Sequence, residues 1–121
     1  MKVLIFGSKG MVGSSVAKIF SKDTKFQIEL SDRSNNNLFD LESTKKLIEQ
    51  TNPSYIINAA AKVGGIYANN EKRFEFILEN LKINMNILES CISNTNINII
   101  NLGSSCIYPL NAENPLKEEF I

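Results

Sequence analysis

Three regularly spaced glycines form the first pattern with chemical meaning. Gly7, Gly10 and Gly13 occupy the segment G-S-K-G-M-V-G, which follows a short apolar run and precedes a helical pattern. Glycines there permit a sharp turn, a close backbone approach to a pyrophosphate and tight helix packing. The free N–H groups of a helix beginning at Met11 and Val12 attract phosphate. Three glycines also suit an ordinary turn, but their position between strand and helix favours dinucleotide binding.

Charged residues after the second predicted strand bear on which dinucleotide binds. An acidic side chain there accepts hydrogen bonds from the adenosine ribose of NAD, whereas a basic one pairs with the 2′-phosphate of NADP. The chain has both, as Asp32 and Arg33, and Lys9 in the glycine loop is placed to reach the same phosphate. Each cation could instead be an ordinary solvated surface charge. The two cations favour NADP, while Asp32 leaves NAD open.

Two further segments follow predicted strands. The small side chains of Ala59, Ala60 and Ala61 would let a cofactor lie across the strand ends, although alanines also suit tight core packing. The segment G-S-S-C-I-Y-P offers Ser104 and Cys106 just past the last strand, where a nicotinamide and substrate pocket would lie. The alternative there is a serine-rich turn with one buried thiol.

The elements that must position these residues alternate along the chain. Short apolar runs predict strands, and apolar residues spaced by three and four predict helices. The strands are predicted at 3–6, 26–30, 55–58 and 97–102, and the helices at 11–20, 41–50 and 72–93. Asp40 is expected to cap the second helix, which Asn52 before a proline should end. The alternation predicts an α/β fold, a three-layer Rossmann-type parallel sheet with helices on both faces.

Composition limits the classes of function. The 121 residues suit one domain, and thirteen basic residues balance thirteen acidic ones, so nucleic acid and an anionic membrane are not expected partners. No apolar run is long enough to span a bilayer, which favours a cytoplasmic protein. The absence of histidine excludes an imidazole acid or base supplied by this chain. Cys91 and Cys106 have no metal-ligand neighbours at short spacing, so we expect thiols and no metal site.

Four segments together resemble a known family. The patterns are G-S-K-G-M-V-G, A-A-K-V-G-G-I-Y-A-N-N, N-L-K-I-N-M-N-I-L-E and L-G-S-S-C-I-Y-P. They are similar to those of the GDP-L-fucose synthases, a family in the extended short-chain dehydrogenase/reductase superfamily, and the resemblance runs over the entire chain. It implies an NADP-dependent enzyme that converts GDP-4-keto-6-deoxy-D-mannose to GDP-L-fucose by epimerisation at C3″ and C5″ and reduction at C4″. A GDP-sugar substrate and a homodimer are implied for the complete enzyme.

The resemblance also implies roles for individual residues. Ser104 matches the serine that hydrogen-bonds the substrate carbonyl, and Cys106 matches the cysteine that acts as acid or base in epimerisation. The implied cofactor contacts are the glycine loop with Met11 and Val12 for the pyrophosphate, Lys9 and Arg33 for the 2′-phosphate, Asn37 and Leu38 for adenine, and Ala59, Ala60 and Ala61 along the cofactor.

One departure from the family pattern is large. The superfamily's Tyr-x-x-x-Lys pair should follow the serine by about thirty residues, and the family's second acid/base is a histidine that this sequence lacks. Tyr108 is no substitute, because residue 112 is alanine. We therefore expect an incomplete cofactor-binding domain over 1–121, truncated before the last strands, without a C-terminal substrate domain and inactive alone. A stand-alone nucleotide-binding or regulatory module, or part of another nucleotide-sugar epimerase or dehydratase, is the alternative.

Overall fold

The computed structural model describes all of residues 1–121. In chain order its elements are β1 (Lys2–Phe6), α1 (Met11–Phe20), β2 (Gln27–Ser31), α2 (Leu41–Thr51), β3 (Tyr55–Asn58), α3 (Ile66–Glu71), α4 (Arg73–Cys91) and β4 (Asn98–Asn101). Short 3₁₀ turns follow at Ser105–Ile107 and Glu118–Phe120. The observed alternation confirms the predicted α/β fold.

The four strands form one parallel sheet in the order β2-β1-β3-β4. The chain passes from β1 to β2 on one side and then crosses to form β3 on the other. The strand order therefore reverses between β1 and β3, a point that leaves a crevice at the carboxyl ends of the strands in open parallel sheets. Residues Val3 to Phe6 of the central strand are buried, whereas the edge strands β2 and β4 are mostly exposed.

Helices cover both faces of the sheet, as a three-layer fold requires. On one face, α1 covers a small cluster to which it contributes Val16, Ala17 and Phe20. On the other face, α2 and α4 pack over the larger cluster, whose buried members are Leu4, Phe6, Ile48, Ile56, Ile83, Ile87 and Cys91. Burial of apolar surface stabilises a fold by roughly 25 cal/mol per Å², so this larger cluster is the main apolar support of the site.

Helix α4 turns a different side to the sheet from the one that its apolar spacing indicates. The sheet side of α4 buries Ile83, Ile87 and Cys91 together with Ser90. The regular apolar stripe lies on exposed positions, which are Phe74, Ile77, Leu78, Leu81, Met85, Leu88 and Ile92. The spacing predicts the helix correctly, but it does not identify the buried side.

Local signals explain the remaining boundaries. Helix α3 was not predicted, because none of its residues is buried and no apolar pattern marks it; the Asn69 amide instead donates to the carbonyls of Gly64 and Gly65. Asp40 occupies the N-cap of α2 as expected, but its side chain makes no capping hydrogen bond. Asn52 ends α2 in the left-handed conformation, with φ 43°.

None of the helices combines the length and hydropathy needed to cross a lipid bilayer.

Candidate functional site

The carboxyl ends of three strands meet at one crevice. The Ser8 amide donates to the Ser31 carbonyl at 3.0 Å, and the Ala59 amide donates to the Phe6 carbonyl at 3.1 Å, so the ends of β2, β1 and β3 are joined. A cavity of about 580 Å³ opens there. Its lining comprises Gly7, Lys9, Gly10, Ser31, Asp32, Arg33, Asn36, Asn37, Leu38, Phe39, Ala59, Ala60, Ala61, Glu79 and Ile83.

Two glycines of the G-S-K-G-M-V-G segment leave no room for a side chain. Gly7 has φ +73°, and a Cβ atom there would lie 2.7 Å from the backbone of Ala59 and Ala60. A Cβ on Gly13 would lie 2.8 Å from the carbonyl carbon of Gly7, so α1 packs closely beneath the turn. Gly10 is the N-cap of α1, and no side chain caps that helix, so its first N–H groups remain available to an anion.

A pair of opposite charges lies at the mouth of the cavity. Nζ of Lys9 is 3.0 Å from Oδ2 of Asp32, and it also donates to the Ser34 hydroxyl. Oδ1 of Asp32 accepts from both the hydroxyl and the amide of Ser34. The hydrogen bonds from Ser34, followed by the one from Lys9, lower the pKa of Asp32 to about 2. Arg33 lines the same cavity and has no ion-pair partner within the chain, which leaves its guanidinium for a ligand.

The loop after β2 supplies a polar atom without a partner. Asn36 is buried and lines the cavity; its Oδ1 accepts from the Ser43 hydroxyl at 2.7 Å, and its Nδ2 has no partner in the chain. A buried amide left without a partner costs free energy that a ligand acceptor could recover. Helix α4 holds the backbone of the same loop at Leu38, because the side-chain amide of Asn86 donates to the Leu38 carbonyl at 2.8 Å.

The loop after β3 forms the opposite wall and is held from α4. Lys62 pairs with Glu79 and Glu75, and hydrogen bonding to Glu79 is the first reason that the pKa of Lys62 is raised above its ordinary value. The amide of Asn80 brackets the Lys62 backbone, since it accepts from the Lys62 N–H and donates to the Lys62 carbonyl. The loop is thereby held to α4 at Lys62, two residues beyond Ala60.

The two candidate catalytic residues lie in the loop after β4. Ser104 and Cys106 are both exposed, and neither lines the cavity. Oγ of Ser104 accepts from the Cys106 amide at 3.2 Å, so its own proton remains available to a second acceptor. The buried thiol of the chain is Cys91, whose pKa burial raises; the alternative of a serine-rich turn with one buried thiol is therefore wrong for Cys106.

The structure gathers most of the predicted cofactor residues. Met11 and Val12 lie outside the cavity with exposed side chains at the start of α1, and Gly13 lies beneath the turn. Several lining residues do not follow from the sequence pattern. These are Ser31 at the end of β2, Asn36 and Phe39 in the loop after it, and Glu79 and Ile83 on α4.

Three features fit the phosphate and base of a dinucleotide. They are the first turn of α1 without a side-chain cap, the two glycines without room for a Cβ and the unpartnered Asn36 amide. Fold and site thus define a Rossmann-type dinucleotide-binding domain. Residues 3–121 match the model of the NAD dependent epimerase/dehydratase family. The chain belongs to that family.

Relatives within the family include proteins named GDP-L-fucose synthase. Over 118 residues the chain is 36% identical to the GDP-L-fucose synthase of Sinorhizobium fredii, a match that covers 98% of this chain and 37% of the relative. The chain thus spans little more than a third of the length of that relative.

Solved structures of similar proteins agree with the assignment of the chain to this family. A GDP-D-glycero-L-gluco-heptose synthase from Campylobacter jejuni, crystallised in the presence of NADPH, has a TM-score of 0.87 and 32% identity, with 98% of this chain and 35% of that one covered. A GDP-L-fucose synthetase from Naegleria fowleri bound to NADP has a TM-score of 0.81 and 29% identity, with 98% and 35% covered.

Proposed function

We propose that this chain is the NADP-binding part of a GDP-sugar epimerase/reductase that forms GDP-L-fucose from GDP-4-keto-6-deoxy-D-mannose. The cavity at the carboxyl ends of β1, β2 and β3, with two cations at its mouth, carries the proposal. The named functions of the fucose synthase relatives support the sugar substrate. The complete reaction belongs to a longer protein, because this chain supplies neither a histidine nor a Tyr-x-x-x-Lys pair.

The charges at the cavity mouth favour NADP over NAD. Arg33 has no partner within the chain, and Lys9, held by Asp32, lines the same cavity, so both suit a 2′-phosphate. Asp32 would be the acceptor for the ribose of NAD, but both of its oxygens already accept from Lys9 and Ser34. The glycine loop and the first turn of α1 would hold the pyrophosphate. Bound NADPH supplies the hydride for reduction at C4″.

Ser104 and Cys106 would act on the sugar. Removal of a proton beside the 4-keto group places negative charge on the ketone oxygen, and the free hydroxyl proton of Ser104 is available to stabilise it. Cys106 is exposed in the turn that follows the carboxyl end of β4, where its thiolate would take the proton from C3″ or C5″. The two residues are two positions apart and are joined by a hydrogen bond in one turn, so one substrate pose could meet both.

The experiment joins this chain at Ile121 to the remaining part of the Sinorhizobium fredii GDP-L-fucose synthase. The hybrid is given GDP-4-keto-6-deoxy-D-mannose and NADPH in deuterated water. We expect NADPH oxidation together with deuterium at C3″ and C5″ of the product, and the intact relative serves as the control. A folded hybrid that binds NADPH but neither exchanges these hydrogens nor reduces the sugar would contradict the proposal.

A reductase without epimerisation is the second candidate. The GDP-mannoheptose C4 reductase from Campylobacter jejuni, solved with NADP bound, supports this candidate, because its TM-score of 0.86 exceeds the 0.81 of the Naegleria fowleri synthetase. The same experiment separates the two functions. NADPH oxidation without deuterium at C3″ and C5″ would identify a reductase.

A further inference from the structure

A buried asparagine joins the loop after β3, called the cofactor loop because Ala59, Ala60 and Ala61 line the cavity, to the loop with the candidate catalytic residues. Asn58 is the last residue of β3 and is 4% exposed. Its Oδ1 accepts from the Ala60 amide at 3.1 Å, and its Nδ2 donates to Oδ1 of Asn101 at 2.7 Å and to Oδ1 of Asn84 at 3.3 Å. One side chain thus contacts the cavity wall, the end of β4 and helix α4.

The Asn101 contact is the stronger of the two donor bonds. Asn58 and Asn101 are directly paired in the register of β3 and β4, so their side chains leave the same face of the sheet. The Leu102 amide also donates to the Asn58 carbonyl, which extends the pairing toward Ser104. Any movement of this strand end is therefore transmitted to Asn58.

We propose that Asn58, held by Asn101, is a positioning residue that keeps the cofactor loop and the Ser104–Cys106 loop in one fixed arrangement. Without the Asn101 acceptor, the Nδ2 group keeps only the longer bond to Asn84. A buried amide in this position rotates to find another acceptor, and rotation removes Oδ1 from the Ala60 amide. The proposal rests on the proposed function, because Ala60 positions a cofactor only if the cavity binds one.

The test compares Asn101→Leu, which removes the acceptor, with Asn101→Asp, which retains one. Asn98→Leu is the matched control, because Asn98 is an exposed asparagine at the other end of β4. The first readout is hydrogen exchange of the Ala60 amide in the chain without ligand. We expect exchange about tenfold faster in Asn101→Leu and close to the wild-type rate in the other two variants.

The second readout is NADPH affinity, which should fall about 3- to 10-fold in Asn101→Leu only, although Asn101 does not line the cavity. The link from Asn101 through Asn58 to Ala60 would be overturned by either of two results. One is an unchanged exchange rate of the Ala60 amide in Asn101→Leu, and the other is an equally fast exchange in Asn98→Leu. Faster exchange with unchanged NADPH affinity would overturn the positioning role. A wild-type chain that does not bind NADPH would refute the proposed function, and the exchange data would still decide the link.

Discussion

The ammonium group of Lys9 lies 3.0 Å from Oδ2 of Asp32, so a carboxylate at the end of β2 fixes a cation of the glycine loop at the cavity mouth. The same carboxylate is the usual ribose acceptor in domains that bind NAD. Its engagement with Lys9 and Ser34 leaves Arg33 as the unpaired charge of this loop. Cofactor choice, acid stability and loop geometry therefore depend on a few neighbouring groups.

Removal of Arg33 should reduce the preference for NADPH. In Arg33→Ala we expect NADPH binding to weaken by about 1 to 3 kcal/mol, as is typical for loss of a charge-assisted contact, with little change for NADH. Titration calorimetry with both cofactors measures the difference. Lys18→Ala, at an exposed cation in the last turn of α1, is the control. Equal losses for the two cofactors would show that Arg33 does not contact the 2′-phosphate.

Acid should weaken the fold partly through Asp32. Its pKa is lowered from 3.8 to about 2, so its contribution to stability is present above pH 3.8 and is lost as the pH falls toward 2. The melting temperature of the wild-type chain should therefore fall more steeply between about pH 4 and pH 2 than that of Asp32→Asn. Asp23→Asn, at another turn, is the control. Identical slopes for Asp32→Asn and the wild type would contradict the assignment.

Gly13 should tolerate no side chain. Gly13→Ala places a Cβ 2.8 Å from the Gly7 carbonyl carbon, so we expect a loss of about 1 to 3 kcal/mol in the free energy of unfolding. Urea titration measures it. Gly103→Ala is the control, because a Cβ there meets nothing within 4 Å. A Gly13→Ala chain as stable as the control would mean that α1 can move away from the turn.

The two thiols should differ sharply in reactivity. Cys106 is exposed, whereas Cys91 is buried in the larger cluster and has a raised pKa. A disulfide reagent should modify one thiol in the native chain and two in denaturant. Cys106→Ser should abolish the native reaction and Cys91→Ala should leave it unchanged. Rapid native modification of Cys91 would show that α4 opens readily.

The local features of the site could be predicted from the sequence. The glycine spacing predicts the turn between β1 and α1. Lys9, Arg33 and the three alanines follow the ends of strands that the apolar runs predict. The features that were missed depend on contacts between distant segments. Glu79 and Ile83 reach the cavity only because α4 turns the side with Ile83 and Ile87 toward the sheet, while its more regular apolar stripe is exposed.

Asparagine roles show the same limit. Asn58 and Asn101 are 43 residues apart in sequence, and their pairing follows from strand register, which requires the sheet order. Asn36 belongs to the stretch S-D-R-S-N-N-N, whose composition is typical of a turn, yet it is buried with an unpartnered amide beside the cavity. Turn composition predicts a loop correctly but does not show which of its side chains points inward.

NADPH binding by the 121-residue chain tests the central proposal most directly. Titration calorimetry of the wild-type chain should show a single site that prefers NADPH to NADH. Gly10→Asp should abolish binding while circular dichroism shows an intact fold, because the new carboxylate lies where the pyrophosphate would approach α1. A folded wild-type chain without saturable NADPH binding, or undiminished binding by Gly10→Asp, would contradict the assignment of this cavity as the NADP site.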